Sequence, residues 1–479
     1  MHKKLFSSIL LFLFLNILIK PFWILGIDVN VQNAVGAEEF GLYFAIFNFA
    51  YIFNILLDLG VTNFNNKNIA QHNQLIGKHL SGILSIKLLL FLLFLVVTFV
   101  VGWIIGYDSR EFFLLGWMCF NQFLNSLILY LRSNFSGLLL FKTDSVLSVM
   151  DRVLMIVFCG ILLWGNVTDK AFKIEWFIGC QTLSYLITAS VALIALIHKT
   201  KLRKLTLNIP FSIAIIKKSL PFALLVLLMA SYNRIDPIML QRLLPQGSTS
   251  AGIYASAYRL LDALVMLSYL VSVPLLPVYA KMLKNKEDVW EITKSVFVCV
   301  CVFSIGIAVT LSTLATELMG LLYDEHIQQS ATVFRILIFG FVPISITYIF
   351  GTLLTANNNL GRLNVLSAIT LVVNIAVNLL LIPHYHEVGS AWASLIAQCF
   401  VALSQMVSAF IIFRFKVNWI AVLKLLVYVC VVIVLNILLF KSNLNWLWHI
   451  SIVGIVMVVT LFVLRLFRMK DMIALITRN

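Results

Sequence analysis

The chain has 479 residues, 61% of them hydrophobic and only 11% charged, with a mean hydropathy of +1.01. A soluble domain carries about a quarter charged residues, so this composition excludes a soluble enzyme and points to a polytopic membrane protein whose apolar blocks match the roughly twenty residues of a spanning helix. The net charge of +15 does not imply nucleic acid, because basic residues gather in the cytoplasmic loops of membrane proteins.

The first block, residues 5–27, opens "MHKKLFSSILLFLFLNILIKPFWILG". It has the lysines and apolar core of a signal peptide but no Ala-x-Ala cleavage pattern, and it runs too long; it reads as a retained first helix. Lys20 precedes Pro21 at an expected kink, where it either lines a cavity or snorkels to the interface. Spans follow at 40–60, 80–105, 112–133, 145–164 and 175–197. Asp58 closes the second beside "NFNNKN" and reads as an interfacial carboxylate. Arg132, Asp151 and Arg152 read as lying near the cytoplasmic ends of the fourth and fifth. The segment "SNFSGLLLFKTDS" could lengthen either of those two spans. The basic loop "HKTKLRKLTLN" after the sixth fixes the orientation with both termini cytoplasmic.

The seventh span, 219–243, contains "YNRIDPIML", with both signs of charge and a proline inside an apolar run. Charges deep in a span cost about 2.5–3.5 kcal/mol each on insertion scales and mark candidate sites. Arg234 can offer a planar fork to a phosphate. Asp236 lies about 200° further round the helix, so the two do not face each other. Pro237 removes a backbone hydrogen bond, frees the carbonyl of Asn233 and predicts a kink. The competing reading is an ion pair that staples this span to a neighbour.

In the eighth span, 251–279, Arg259 and Asp262 share a face, and Tyr254, Tyr258 and Asp262 follow at four-residue spacing. They either line a cavity or form a self-neutralised pair. Further spans at 291–316, 331–355, 363–382, 389–413, 418–440 and 446–466 bring the total to about fourteen. Arg335 reads as interfacial. His384 and His386, with only Glu387 nearby, do not make a metal site, and no cofactor is implied. The seven cysteines all lie in apolar segments, which argues against a disulfide framework. The short outer loops leave no room for a soluble catalytic domain.

"GLYFAIFNFAYIFNILLDLG" from Gly41 and "GIYASAYRLLDALVMLSYLV" from Gly252 both begin Gly-aliphatic-Tyr after an outer turn, six spans apart. They suggest a parallel repeat. The expected architecture is all-α: an amino-terminal lobe at 1–204 and a second at 205–414, pseudo-symmetric and of six helices each, then two further helices and a tail at 415–479.

The stretch Leu353–Gln398 carries Gly361-Arg362, Asn374 and Asn378 one turn apart, Leu381-Ile382-Pro383 and Gly389. This pattern resembles the Wzx-like oligosaccharide flippases of the multidrug/oligosaccharidyl-lipid/polysaccharide exporter superfamily. Val35–Gln71 and Ala257–Lys281 look similar to the same family, and Arg259 matches an Ala-x-Arg-Leu pattern of related peptidoglycan-lipid flippases. Two departures occur: His384–Glu387 lacks the family's first glycine, and Ser390 replaces an alanine.

The resemblance implies a MATE-like fold of two lobes around a V-shaped cavity that opens alternately to either side. It implies a polyprenyl-diphosphate-linked oligosaccharide, such as an O-antigen or other lipopolysaccharide precursor, as cargo in the bacterial inner membrane. Arg234, Arg259, Lys20, Asp236, Asp262, Asn233 and Tyr258 are the candidate cavity residues. Besides the cargo and membrane lipids, expected partners are a glycan polymerase and glycosyltransferases. The rival readings are a cation-coupled multidrug antiporter of the same fold, a membrane glycan polymerase, and a scaffold for glycan assembly. The antiporters usually depend on a carboxylate in the first span, and here that span has no acid before Asp28.

Overall fold

A computed structural model describes residues 14–16, 18–19, 21–62, 65, 69, 76–138, 140–165, 167, 170–198, 209–417, 419–442 and 445–463. All regular elements among the described residues are helical. The chain divides into two compact units, Met1–Gly252 and Ile253–Asn479.

In the first unit a π-helical turn at Trp23–Asp28 leads into α1 (Val29–Ile52), which ends in a 3₁₀ segment, Phe53–Leu57. Then come α2 (Ile76–Ile105), α3 (Ser109–Gly137), α4 (Phe141–Trp164), α5 (Ile174–Ile197), α6 (Ile209–Arg234) and α7 (Asp236–Leu243). Helix α8 (Gly247–Lys284) starts in this unit and runs on into the second. There it is followed by α9 (Trp290–Thr313), α10 (Ala315–Leu322), α11 (Ile327–Leu337), α12 (Phe341–Ala356), α13 (Leu360–Phe413), α14 (Trp419–Lys441) and α15 (Trp446–Val463).

The helices are built for lipid. Among the exposed side chains of α2 are Leu88, Leu89, Leu92, Leu93, Val96 and Val100. In α13 Val365, Val372 and Leu380 are exposed while Ser367, Thr370, Asn374 and Asn378 are fully buried. Apolar surface outward and polar side chains inward is the arrangement in which a bilayer solvates one face and helix–helix hydrogen bonds satisfy the other.

Ten helices among the described residues are long and apolar enough to cross a membrane, or eleven if the bent pair α6–α7 counts as one span. That is short of the fourteen expected. Part of the difference lies at two backbone breaks inside continuous elements. Helix α1 breaks at Gly36 (φ 82°, ψ 165°), a conformation open to glycine and strained for other residues. Helix α13 breaks at His386 (φ 50°, ψ −130°); unbroken, its 54 residues would run about 80 Å against a hydrocarbon core of about 30 Å.

The repeat has a structural counterpart. A Cβ added to Gly41 would fall 1.9 Å from the carbonyl oxygen of Ser248, and one added to Gly252 would fall 1.9 Å from the carbonyl oxygen of Ala37. The offset that carries Gly41 to Gly252 also carries Ala37 to Ser248, so the crossing of α1 with the start of α8 is reciprocal. Gln32 strengthens it by donating its side-chain amide to the Gly252 carbonyl at 3.1 Å.

The first unit's core joins Ile83, Ile86 and Leu90 of α2 to Tyr130, Leu131 and Phe135 of α3 and to Ala192 and Leu196 of α5. In the second unit α14 and α15 pack on α9 through Val302, Val309, Val432, Val453 and Met457. The Tyr428 hydroxyl donates to the Val302 carbonyl at 2.8 Å, and His449 meets the Asn436 carboxamide oxygen at 2.9 Å.

Candidate functional site

Pro237 breaks the backbone as its chemistry dictates. Helices α6 and α7 meet at Ile235 with a bend of 49°, which puts Arg234 at the end of one helix and Asp236 at the start of the next. Asp236 is fully buried and sits in the first turn of α7, where a carboxylate is favoured by the helix dipole. Asn233 turns its amide back onto the Met229 carbonyl at 2.7 Å.

Arg234 is half-buried and reaches across to α1. Its guanidinium carbon lies 5.2 Å from the centre of the Tyr51 ring, and Nη1 donates to Asn48 Oδ1 at 3.4 Å. Asn48 is fully buried. One turn beyond Tyr51, Asn54 donates to the Gln122 side chain at 2.6 Å.

A second arginine lies in the same unit. Val146, Val153, Val157 and Ile161 form the exposed apolar stripe of α4, and at 100° per residue Arg152 falls on the opposite side. Its guanidinium carbon sits 5.6 Å from the Trp23 ring and 5.9 Å from the Tyr185 ring. Asp151 is 3.6 Å away, and the buried Asp28 acts on the guanidinium electrostatically. Asn121 extends this polar centre, accepting from Thr182 at 2.7 Å and donating to Gln181 at 3.2 Å. From sequence Arg152 was expected near the end of its span. The helix begins a turn earlier than expected, at Phe141, and Arg152 lies at its middle.

Two more charged clusters went unread. Lys87 is 1% exposed and donates to the Leu57 carbonyl (3.2 Å), Asp58 Oδ1 (2.9 Å) and Ser126 Oγ (2.8 Å). Asp58, read as interfacial, therefore caps the broken end of α1 together with a buried lysine. A lysine inside "ILSIKLLLF" was the available signal.

At the other end of the unit, Glu111 accepts from Gln241 (2.8 Å) and from Arg242 (2.5 Å). It also takes part in a reciprocal capping box with Asp108 at the start of α3. Arg242 lies 4.4 Å over the Tyr107 ring. Burial pushes the Tyr107 phenol above its ordinary range, with Arg242 pulling it back, so the ring stays neutral. Nearby, Arg110 bonds both oxygens of Glu39, at 2.8 and 2.5 Å, and reaches Glu175 at 3.3 Å.

In the second unit Tyr258 stacks on Tyr254, with ring centres 5.7 Å apart. Arg259 and Asp262 are half-buried on the same helix. Asn378 donates to the Asn374 side chain and carbonyl, both at 3.0 Å, and both residues are fully buried. Lys20 lies outside the described residues.

No curated protein matches the sequence. Among solved structures the fold resembles a lipid II flippase, MurJ, in an inward closed conformation: TM-score 0.74 and 14% identity over 97% of this chain and all of that one. A Pyrococcus furiosus transporter of the MOP superfamily aligns with TM-score 0.61 and 14% identity over 85% of this chain and 94% of its own. A Vibrio cholerae MATE transporter gives TM-score 0.55 and 16% identity over 86% and 97%. At these identities the likeness speaks for the fold, and it agrees with the all-helical MATE-like architecture. The model of the family described as "Polysaccharide biosynthesis protein" matches residues 8–283, more than half of the sequence. The chain belongs to the polysaccharide biosynthesis protein family.

Proposed function

We propose that the protein is a flippase that carries a polyprenyl-diphosphate-linked oligosaccharide from the cytoplasmic to the outer leaflet of the bacterial inner membrane by alternating access. In this reading two lobes, 1–204 and 205–414, form the transport machinery, 415–479 is an appendage, and both termini are cytoplasmic. The lipid tail stays in the bilayer while the diphosphate and sugars cross the hydrocarbon layer along a polar path. No bond is made or broken in the cargo. A polymerase and glycosyltransferases act on the same glycan before and after transfer.

The observation that carries the proposal is the Arg234 guanidinium, held between Asn48 and Tyr51 beside a helix break. An arginine at such depth is costly in lipid and well matched to a phosphate. Arg259, Asp236, Asp262, Asn233, Tyr258 and Lys20 are the further cavity residues proposed. An antiporter would need the first-span carboxylate for an exchangeable cation, but the resident Arg152 already acts on Asp28.

The test is export of lipid-linked glycan in cells carrying Arg234→Ala or Arg259→Ala at normal membrane levels. Each is expected to lose export by about 100-fold, the value of two charge-assisted hydrogen bonds. Wild-type export by both variants would overturn the assignment.

A further inference from the structure

We infer that Phe47, Tyr51 and Asn54 of α1 form a sugar-binding platform on which a pyranose ring of the cargo rests during transfer. The inference deepens the proposal above and rests on it. It names residues of this chain that recognise the glycan rather than its phosphates.

Among the ten candidate spans the one that holds α1 is the most enclosed. Within Trp23–Leu57, 61% of the apolar stretch is buried, against 22% in Gly82–Ile105 of α2. Between Phe40 and Ile52 only Leu42, Phe47 and Tyr51 escape burial, and Tyr51 is the most open at 36%. Asn54, one turn on, is half-buried. At 100° per residue Phe47, Tyr51 and Asn54 fall within about 60° of one another, so they share one narrow strip.

The chemistry of that strip differs from that of the lipid-facing ones. The exposed faces of α2 and α4 are mainly Leu, Val and Ile. The α1 strip has a guanidinium on one flank, with Arg234 5.2 Å from the Tyr51 ring centre. At its end lies a pair of amides, where Asn54 donates to Gln122 Oε1 at 2.6 Å. Charged and amide groups are costly against hydrocarbon, so the open side of the strip suits water or a polar ligand.

A sugar ring asks for this combination. Its C–H groups make one face apolar and slightly positive, a match for the negative face of an aromatic ring. Its hydroxyls need hydrogen-bond partners at the rim. Phe47 and Tyr51 supply the rings, with centres 6.1 Å apart, and Phe47 stacks on the buried Tyr43 at 5.9 Å. The open ring is therefore held in place before a ligand arrives, which lowers the ordering cost of binding. Asn54 spends an N–H on Gln122, and its carboxamide oxygen accepts from no described residue, which leaves that oxygen for a hydroxyl.

The experiment uses the purified full chain in detergent and two probes, a short-chain prenyl diphosphate and the same molecule carrying one glucosyl residue. Calorimetry gives an affinity for each, and their ratio isolates the sugar, because any effect of a substitution on the diphosphate contact cancels. Thermal melting shows which variants fold. The parent is expected to bind the glucosylated probe about fivefold more tightly. Tyr51→Ala is expected to bring the ratio down to about one, and Tyr51→Phe, which keeps the ring, to preserve it. Asn54→Ala is expected to lower it about twofold.

Equal affinities of the parent for the two probes would overturn the inference and leave the flippase reading standing, as would a parental ratio in folded Tyr51→Ala. If that variant does not fold, Tyr51→Ile carries the comparison, and a parental ratio there overturns the inference equally. A parent that binds neither probe would remove the flippase reading itself, and the platform with it.

Discussion

Two arginines flank the bend between α6 and α7, and each lies on a tyrosine of a neighbouring element. Arg242 rests 4.4 Å over Tyr107 and is held by the Glu111 carboxylate at 2.5 Å. Arg234 rests 5.2 Å over Tyr51, and α1 offers it the Asn48 carboxamide at 3.4 Å. The aromatic support is common to both, and the acceptor differs. A carboxylate makes a short, self-contained ion pair that fixes α7 to α3. The Asn48 carboxamide gives Arg234 a longer, neutral contact that ties α6 to α1. The same aromatic support thus accompanies a charged acceptor in one place and a neutral one in the other.

That contrast can be broken most forcefully at Glu111. Glu111→Ala removes the partner of a half-buried arginine and one half of the α3 capping box, and should cost about 3 kcal/mol. A melting temperature unchanged from the parent would mean that the knot fastens nothing.

Glu111→Gln gives Arg242 a neutral carboxamide like the one Asn48 offers Arg234. A loss of about 1.5 kcal/mol is expected, the difference between charged and neutral hydrogen bonding. Denaturant titration that shows no loss would erase the distinction between the two sites. Tyr107→Leu tests the shared aromatic support and should cost about 1 kcal/mol. Tyr107→Phe keeps the ring and should stay within about 0.5 kcal/mol of the parent; a larger drop in melting would assign the effect to the hydroxyl.

The sequence made some of this visible and hid the rest for definable reasons. Pro237 is a local signal, and its kink followed from missing backbone hydrogen bonding alone. The contact of Arg234 with Asn48 was not visible, because Asn48 lies 186 residues away and nothing local marks an asparagine as a partner. Lys87 and Asp58 illustrate the same limit. Each could be noticed alone, but their pairing at 2.9 Å depends on how α2 packs against the end of α1.

Arg152 was misplaced by a helix boundary. The polar residues Lys142, Thr143 and Asp144 look like loop, yet Asp144 is spent on Arg132 at 2.8 Å, and the helix extends through them. The continuous helices are fewer than the expected spans in part because Gly36 and His386 each break the backbone between two of those spans inside one continuous element.

The tight passage at Gly41 and Gly252 carries a mutational consequence. In a two-fold homodimer every contact appears twice, and a change in one copy is felt at both ends of the contact. Here the twin positions belong to one polypeptide, so each can mutate separately, yet both backbones need the same missing side chain. A side chain gained at either glycine would press on a different stretch of backbone, Ser248 or Ala37, so neither position can relieve the other.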